Sequence, residues 1–232
     1  MNPVYYLSET FESIQGEGDF AGVRSFFVRF HFCNLRCLWC DTKYTWVATN
    51  GIQQTSADEL IAQIKASPAK HIILTGGEPA MYRLDKLAVV GKKMHVETNG
   101  TILPTKPFEM ALPNGKKILR EAMERAVIEQ FHWVVSPKMA NAGELLDEQA
   151  LLYWKTMDDC IFKFIIQTKS DIDAVDNLVQ KWALPKEKVY LALEGNTVES
   201  QLNGKLVDEI ITQGYHFSPR LQVMLWGDKR MK

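Results

Sequence analysis

Cys33, Cys37 and Cys40 fall within eight residues, in the run His31-Phe32-Cys33-Asn34-Leu35-Arg36-Cys37-Leu38-Trp39-Cys40-Asp41. Three thiolates can hold three irons of a four-iron, four-sulfur cube and leave the fourth iron open to a substrate or cofactor, whereas a purely electron-carrying cluster uses four ligands. Zinc is the competing reading, with His31 as a fourth ligand to a structural site. Structural zinc sites usually pair one cysteine knuckle with a second, distant one, and the sequence offers no second knuckle. Its remaining cysteine, Cys160, sits in the apolar run 159–166 and reads as core packing in a buried strand. Spacing alone leaves zinc and iron–sulfur both open.

Composition narrows the function class. The 232 residues carry a formal charge of -1 and no basic block, which argues against nucleic acid or an anionic membrane as partner and for a small molecule. No apolar run approaches the ~18 residues of a membrane span, and residues 1–12 are too polar for a signal peptide. A cytoplasmic location is expected, where reduced thiolates stay available to metal.

The residues that would position the cysteines alternate between strand and helix patterns. Strands are expected at 25–31, 71–75, 93–97, 132–136, 159–166, 189–193 and 221–225. Helices are expected at 117–130, 144–155, 171–182 and about 197–213, and from a Ser56-x-x-Glu59 capping box that places Ala57, Leu60, Ile61 and Ile64 on one face. Such alternation implies parallel strands joined by right-handed crossovers. The cysteines, Gly76-Gly77-Glu78-Pro79, Glu97-Thr98-Asn99-Gly100 and Ser136-Pro137-Lys138 each follow the carboxyl end of a different strand. That placement favours an α/β fold curled into a partial, TIM-like barrel with outer helices and its site on the carboxyl rim. Residues 1–232 read as one domain, with 103–130 as a flap or insertion that begins in the proline-rich stretch 103–115.

Taken in order, Ile14-Gln15-Gly16-Glu17-Gly18, Phe27-Val28-Arg29, the cysteine triplet with Trp39 and Asp41-Thr42, Gly76-Gly77-Glu78-Pro79, Glu97-Thr98-Asn99-Gly100, Ser136-Pro137-Lys138 and the tail from Ser218-Pro219-Arg220 to Trp226-Gly227 resemble the 7-carboxy-7-deazaguanine synthases. These are radical S-adenosylmethionine (SAM) enzymes of queuosine biosynthesis. The resemblance implies the radical SAM fold, with Cys33, Cys37 and Cys40 holding a [4Fe-4S] cluster and SAM bordered by Trp39, Cys40, Asp41, Gly77, Ser136, Pro137 and Lys138. It implies a 6-carboxy-5,6,7,8-tetrahydropterin substrate contacted by Ile14, Gln15, Gly16, Arg29, Thr75 and Glu97, with Gln222 and Lys232 as the weaker tail contacts. Arg29 would face the carboxylate through its planar fork of donors, and Thr42 would bind Mg2+, a hard cation content with few protein ligands. The implied reaction is a ring contraction with loss of ammonia, started by a 5′-deoxyadenosyl radical, and no residue is assigned as a protein acid or base. An electron donor such as flavodoxin and a homodimer come with the family. Phe32 departs from it, standing where glycine is common before the first cysteine. Another radical SAM enzyme, such as a glycyl-radical activase, and a zinc-stabilised binding module are the alternatives.

Overall fold

The computed structural model describes residues 2–47, 50–89 and 91–232, the side chain of Val89 excepted; Met1 of the polar amino-terminal segment lies outside them. The chain starts with β1 (Val4–Ile14), which runs antiparallel to β2 (Arg24–Phe30) on one side and β3 (Gln53–Ser56) on the other. The sequence pattern gave no strand at 4–14, because a register shift between Leu7 and Glu9 breaks the alternation that marks a half-buried strand. The sheet is therefore not wholly parallel. From β2 onward it is: β4 (His71–Gly76), β5 (Lys93–Thr98), β8 (Phe131–Val135), β9 (Cys160–Ile166), β10 (Val189–Leu193) and β11 (His216–Phe217) each pair parallel with their neighbour. Among the described residues nine strands lie in the order β11-β10-β9-β8-β5-β4-β2-β1-β3, a curled sheet whose two edges do not pair. The expected partial barrel is what forms.

Helices α1 (Ala57–Ala66), α4 (Lys169–Trp182) and α5 (Gly204–Thr212) pack Leu60, Ile64, Ile172, Val175, Val179, Leu206 and Ile210 against the outer face. Each such side chain taken fully from water contributes about 1.5–3 kcal/mol. The Ser56 hydroxyl accepts from the Glu59 amide and the Glu59 carboxylate from the Ser56 amide, completing the expected capping box on α1. Cys160, as expected of core packing, is 2% exposed on β9.

Several expected elements are corrected. Residues 117–130 are not one helix: β6 (Phe108–Ala111) and β7 (Lys117–Arg120) form a hairpin, and only α2 (Arg125–Ile128) is helical. Asn114-Gly115, with Gly115 at φ 80°, supplies the left-handed turn. The buried Arg120 guanidinium donates to the carbonyls of Leu103, Pro104 and Glu121. Helix α3 (Glu148–Trp154) starts four residues later than the expected 144, where Asp147 caps it by accepting from the Ala150 amide. Helix α5 starts at Gly204 because the Asn203 side chain caps it there. The tail segment 221–225 is helix α6 (Leu221–Trp226), not a strand; a short apolar run does not separate the two by periodicity.

Inside the curl the side chains form layers. At the amino end of the strands His71, His95 and His132 stand side by side, with the Phe20 ring 4.6–5.4 Å from each. His71 Nδ1 lies 2.8 Å from His95 Nε2, and His132 bridges Asp159 and Asp19 at 2.5 and 3.1 Å. Above them the Phe11 and Phe27 rings stack at 4.9 Å, and above these the interior opens.

Candidate active site

A cavity of about 270 Å3 occupies the carboxyl end of the barrel. Cys33, Cys37 and Cys40 line one side of it on a loop that the segment after β8 clamps. The Leu38 amide donates to the Ala142 carbonyl at 2.9 Å, the Trp39 indole to the Asn141 carbonyl at 2.9 Å, and the Arg36 amide to the Glu144 carboxylate at 2.6 Å. That last contact explains why residue 144 is not in a helix: its carboxylate holds the cysteine loop instead. Donors surround the sulfurs. The Leu35 amide lies 3.4 Å from Cys33 Sγ, the Trp46 indole 3.4 Å from Cys40 Sγ, and Asn99 Nδ2 3.9 Å from Cys33 Sγ. Burial, with the Glu78 carboxylate nearby, pushes the Cys33 thiol up to about 12.

Gly76-Gly77-Glu78-Pro79 backs this loop. The Gly77 amide donates to the Phe30 carbonyl and the Glu78 amide to the Phe32 carbonyl, and a Cβ on Gly77 would fall 1.9 Å from the Phe32 oxygen. No residue but glycine fits that approach. The fully buried Glu78 carboxylate accepts from Thr98 Oγ1, the Asn99 amide and the Ala80 amide at 2.7–2.8 Å, tying the ends of β4 and β5 together. Lys138 donates to Ser136 Oγ at 2.8 Å and lies 5.2 Å from the Trp39 ring centroid; burial lowers its pKa.

A chain of alternating charges crosses the opposite wall. Glu97 accepts from Gln15 Nε2 at 2.9 Å and from Lys163 Nζ at 2.8 Å. Lys163 also pairs with Glu17 at 2.7 Å. Glu17 accepts from Gln222 Nε2 at 2.7 Å and Arg220 Nε at 3.1 Å, and Arg220 reaches Asp41 at 2.5 Å. Although burial alone would raise it, the Lys163 and Arg220 charges hold the Glu17 carboxyl far below the usual carboxylate range, and against the same opposition the two glutamates hold Lys163 charged.

The third wall is cationic. Glu9, 5% exposed, accepts from Arg29 Nε at 2.7 Å, the Tyr44 hydroxyl at 2.8 Å and Arg230 Nη2 at 2.7 Å. Two guanidinium groups against one carboxylate leave a surplus positive charge facing the cavity.

A model of the radical SAM superfamily matches residues 27–148, more than half the chain. Curated relatives are named 7-carboxy-7-deazaguanine synthase: that of Halobacterium salinarum is 33% identical, covering 97% of this chain and 92% of the relative. That of Pyrobaculum aerophilum is 29% identical and covers 99% and 98%. The chain belongs to the 7-carboxy-7-deazaguanine synthase family. The crystal structure of QueE from Escherichia coli superposes with a TM-score of 0.68 at 25% identity, covering 93% of each chain. Streptococcus suis SuiB, solved with SAM bound, shares the fold at a TM-score of 0.51 and 14% identity.

Membership in the synthase family implies a [4Fe-4S] cluster and SAM, and the donor set fits them. Three sulfurs face one cavity, and no three Cys, His, Asp or Glu side chains among the described residues converge as a single metal ion requires. His31 does not serve as a fourth ligand in the zinc manner: it is 2% exposed, its ring nitrogen Nδ1 2.8 Å from Ser8 Oγ. Sixteen of the residues expected from the synthase motifs line this cavity: Ile14, Gln15, Gly16, Arg29, Cys33, Cys37, Trp39, Cys40, Asp41, Thr42, Thr75, Gly77, Glu97, Ser136, Lys138 and Gln222, and the tail's Lys232 joins them. Pro137 does not; it borders a separate small crevice with Trp154 and Asn99. Sequence reading missed Glu9, Lys163 and Arg230, and named Arg220 only within the tail motif, without a role. Lys163 carried a signal: a lone lysine in the apolar run 159–166 has to find a buried partner.

Proposed function

We propose that this chain is a 7-carboxy-7-deazaguanine synthase, converting 6-carboxy-5,6,7,8-tetrahydropterin to 7-carboxy-7-deazaguanine with loss of ammonia. The observation that carries this reading is the meeting, in one cavity, of the cysteine loop with the Gln15–Glu97 pair and the Arg29–Glu9–Arg230 cluster. A zinc module has no use for that polar wall, and a glycyl-radical activase has no use for the strip at Ile14 to Gly16.

Cys33, Cys37 and Cys40 would hold the cluster, and Trp39 to Asp41, Gly77, Ser136 and Lys138 would border SAM; together these groups supply a reducing electron and a 5′-deoxyadenosyl radical. The chain's own residues do the rest. Gly77, lacking a side chain, lets the backbone approach the methionyl amine. Arg29 pairs with the substrate carboxylate, with the surplus charge of Arg230 beside it, and Thr42 offers its hydroxyl to Mg2+ bound with that carboxylate. Glu97 accepts from the N–H groups of the pterin edge, and Ile14, Gly16 and Thr75 border the ring. Enclosure by the tail excludes water that would quench a radical. No side chain is assigned as acid or base. An electron donor such as flavodoxin and a homodimer complete the proposal.

Anaerobic purification tests it. The protein should be brown, with about four iron and four sulfide per chain, and should release ammonia and the deazaguanine acid only with both SAM and reductant. Cys37→Ala should lose iron and activity, while Cys160→Ala keeps its iron. A colourless protein holding one zinc without sulfide refutes the proposal.

A further inference from the structure

Lys163 sits at the centre of β9 with its side chain 7% exposed, yet it lines the cavity. An ammonium carries three N–H donors. Glu17 takes one at 2.7 Å and Glu97 another at 2.8 Å. The third has no acceptor among the described residues. Glu97 is left incomplete in the complementary sense. Its Oε1 accepts from Gln15 and its Oε2 from Lys163, so two of a carboxylate's four lone-pair sites remain. The pair thus offers a ligand two acceptor sites beside one donor. Both partners are fixed from behind, since Glu17 is itself held by Arg220 and Gln222.

A planar ring edge that reads donor, donor, acceptor satisfies this arrangement: an exocyclic amine, a ring N–H and a carbonyl in succession. That is the 2-amino-4-oxo edge. We infer that Lys163 is a specificity-determining residue that donates to the C4 oxygen of the bound pterin while Glu97 accepts from its 2-amino and N3–H groups. The inference rests on the pterin reading of the site and adds to it which heterocycles are refused. A 2,4-diamino ring presents an N–H donor to the ammonium where the oxygen should be. Two donors then face each other in a site shielded from water, and the lysine is left without its acceptor. The neutral diamino ring also carries no hydrogen on N3, so Glu97 makes part of the distinction and the ammonium beside it makes the rest.

Equilibrium dialysis of the reconstituted, SAM-loaded protein against two probes tests this: pterin-6-carboxylic acid and 2,4-diaminopteridine-6-carboxylic acid. Wild type should bind the oxo compound at least about tenfold more tightly than the diamino compound. Lys163→Met should weaken the oxo compound at least about tenfold and the diamino compound by no more than about threefold, so that the preference shrinks while the part due to Glu97 stays. Because Lys163→Met leaves Glu17 and Glu97 facing one another, the double variant Glu17→Gln/Lys163→Met restores the charge balance and should show the same reduced preference, while Glu17→Gln alone keeps it in full. A preference undiminished from wild type in a folded Lys163→Met or double variant overturns the inference and leaves Lys163 as a structural ion-pair partner. Failure of wild type to bind either ring overturns the pterin reading itself, and this inference with it.

Discussion

Phe32 is the residue at which this chain departs from its family's motif, and it sits at φ 69°, in the left-handed region. A side chain there costs about 1–2 kcal/mol that glycine does not bear, and the Phe32 ring recovers part of it by packing 5.6 Å from Tyr6 and 4.8 Å from His31. The two contributions separate cleanly. In urea unfolding, Phe32→Gly should be about 1 kcal/mol more stable than Phe32→Ala, the reverse of the usual penalty for glycine; equal stabilities would mean the loop relaxes in the variants. At this scale the site was largely legible, because cysteine spacing and glycine turns act locally. Lys163, Arg220 and Glu9 were not, since their roles depend on partners 20 to 221 positions away.

At the scale of elements, the joint between α6 and the rest of the barrel ties the tail to the polar wall of the cavity. Arg220 enters the helix, donating to Glu17, Asp41 and the Gly195 carbonyl, and the Leu221 amide donates to the Gly16 carbonyl at 3.0 Å. A Cβ on Gly16 would lie 1.6 Å from Gln222 Oε1, so the strip and the tail are fitted to each other. Arg220→Met should therefore cost about 1–3 kcal/mol in chemical unfolding, because Glu17 and Asp41 each lose a charged partner. Protease nicking should rise first in residues 221–232. Stability unchanged within 0.5 kcal/mol would show that the tail docks through other contacts. The helical nature of this segment was hidden, as was the hairpin at 108–120, because runs of four to six residues carry too little periodicity to choose between states. The long, strongly patterned elements α1, α4, β4 and β9 were readable throughout.

For the molecule as a whole, the histidine layer sets how stability follows pH. Burial and the neighbouring histidine charges push His95 down to about 3, and burial lowers His71 too. Below the ordinary value of 6.5 the unfolded chain takes up protons these two refuse, so stability falls as pH drops from 6.5 toward about 3. His132 runs the other way: although burial opposes it, bonding to Asp19 and Asp159 raises its pKa. Its contribution is fully present below 6.5 and is lost as pH rises through the raised value. Thermal unfolding should peak near neutral to slightly acidic pH. His95→Leu should flatten the acid limb and His132→Asn the alkaline one; a curve unchanged by both would mean that carboxylates elsewhere govern it.

The two borders of the curled sheet, β3 with four residues and β11 with two, do not pair among the described residues. A cylinder sealed by a full ring of ladder bonds has its bore set by strand number and shear; one left split along its length does not. Here the tail is stitched across to the opposite border by the Gly16–Leu221 bond and the Arg230–Glu9 clasp. Undoing both would break no rung of the sheet.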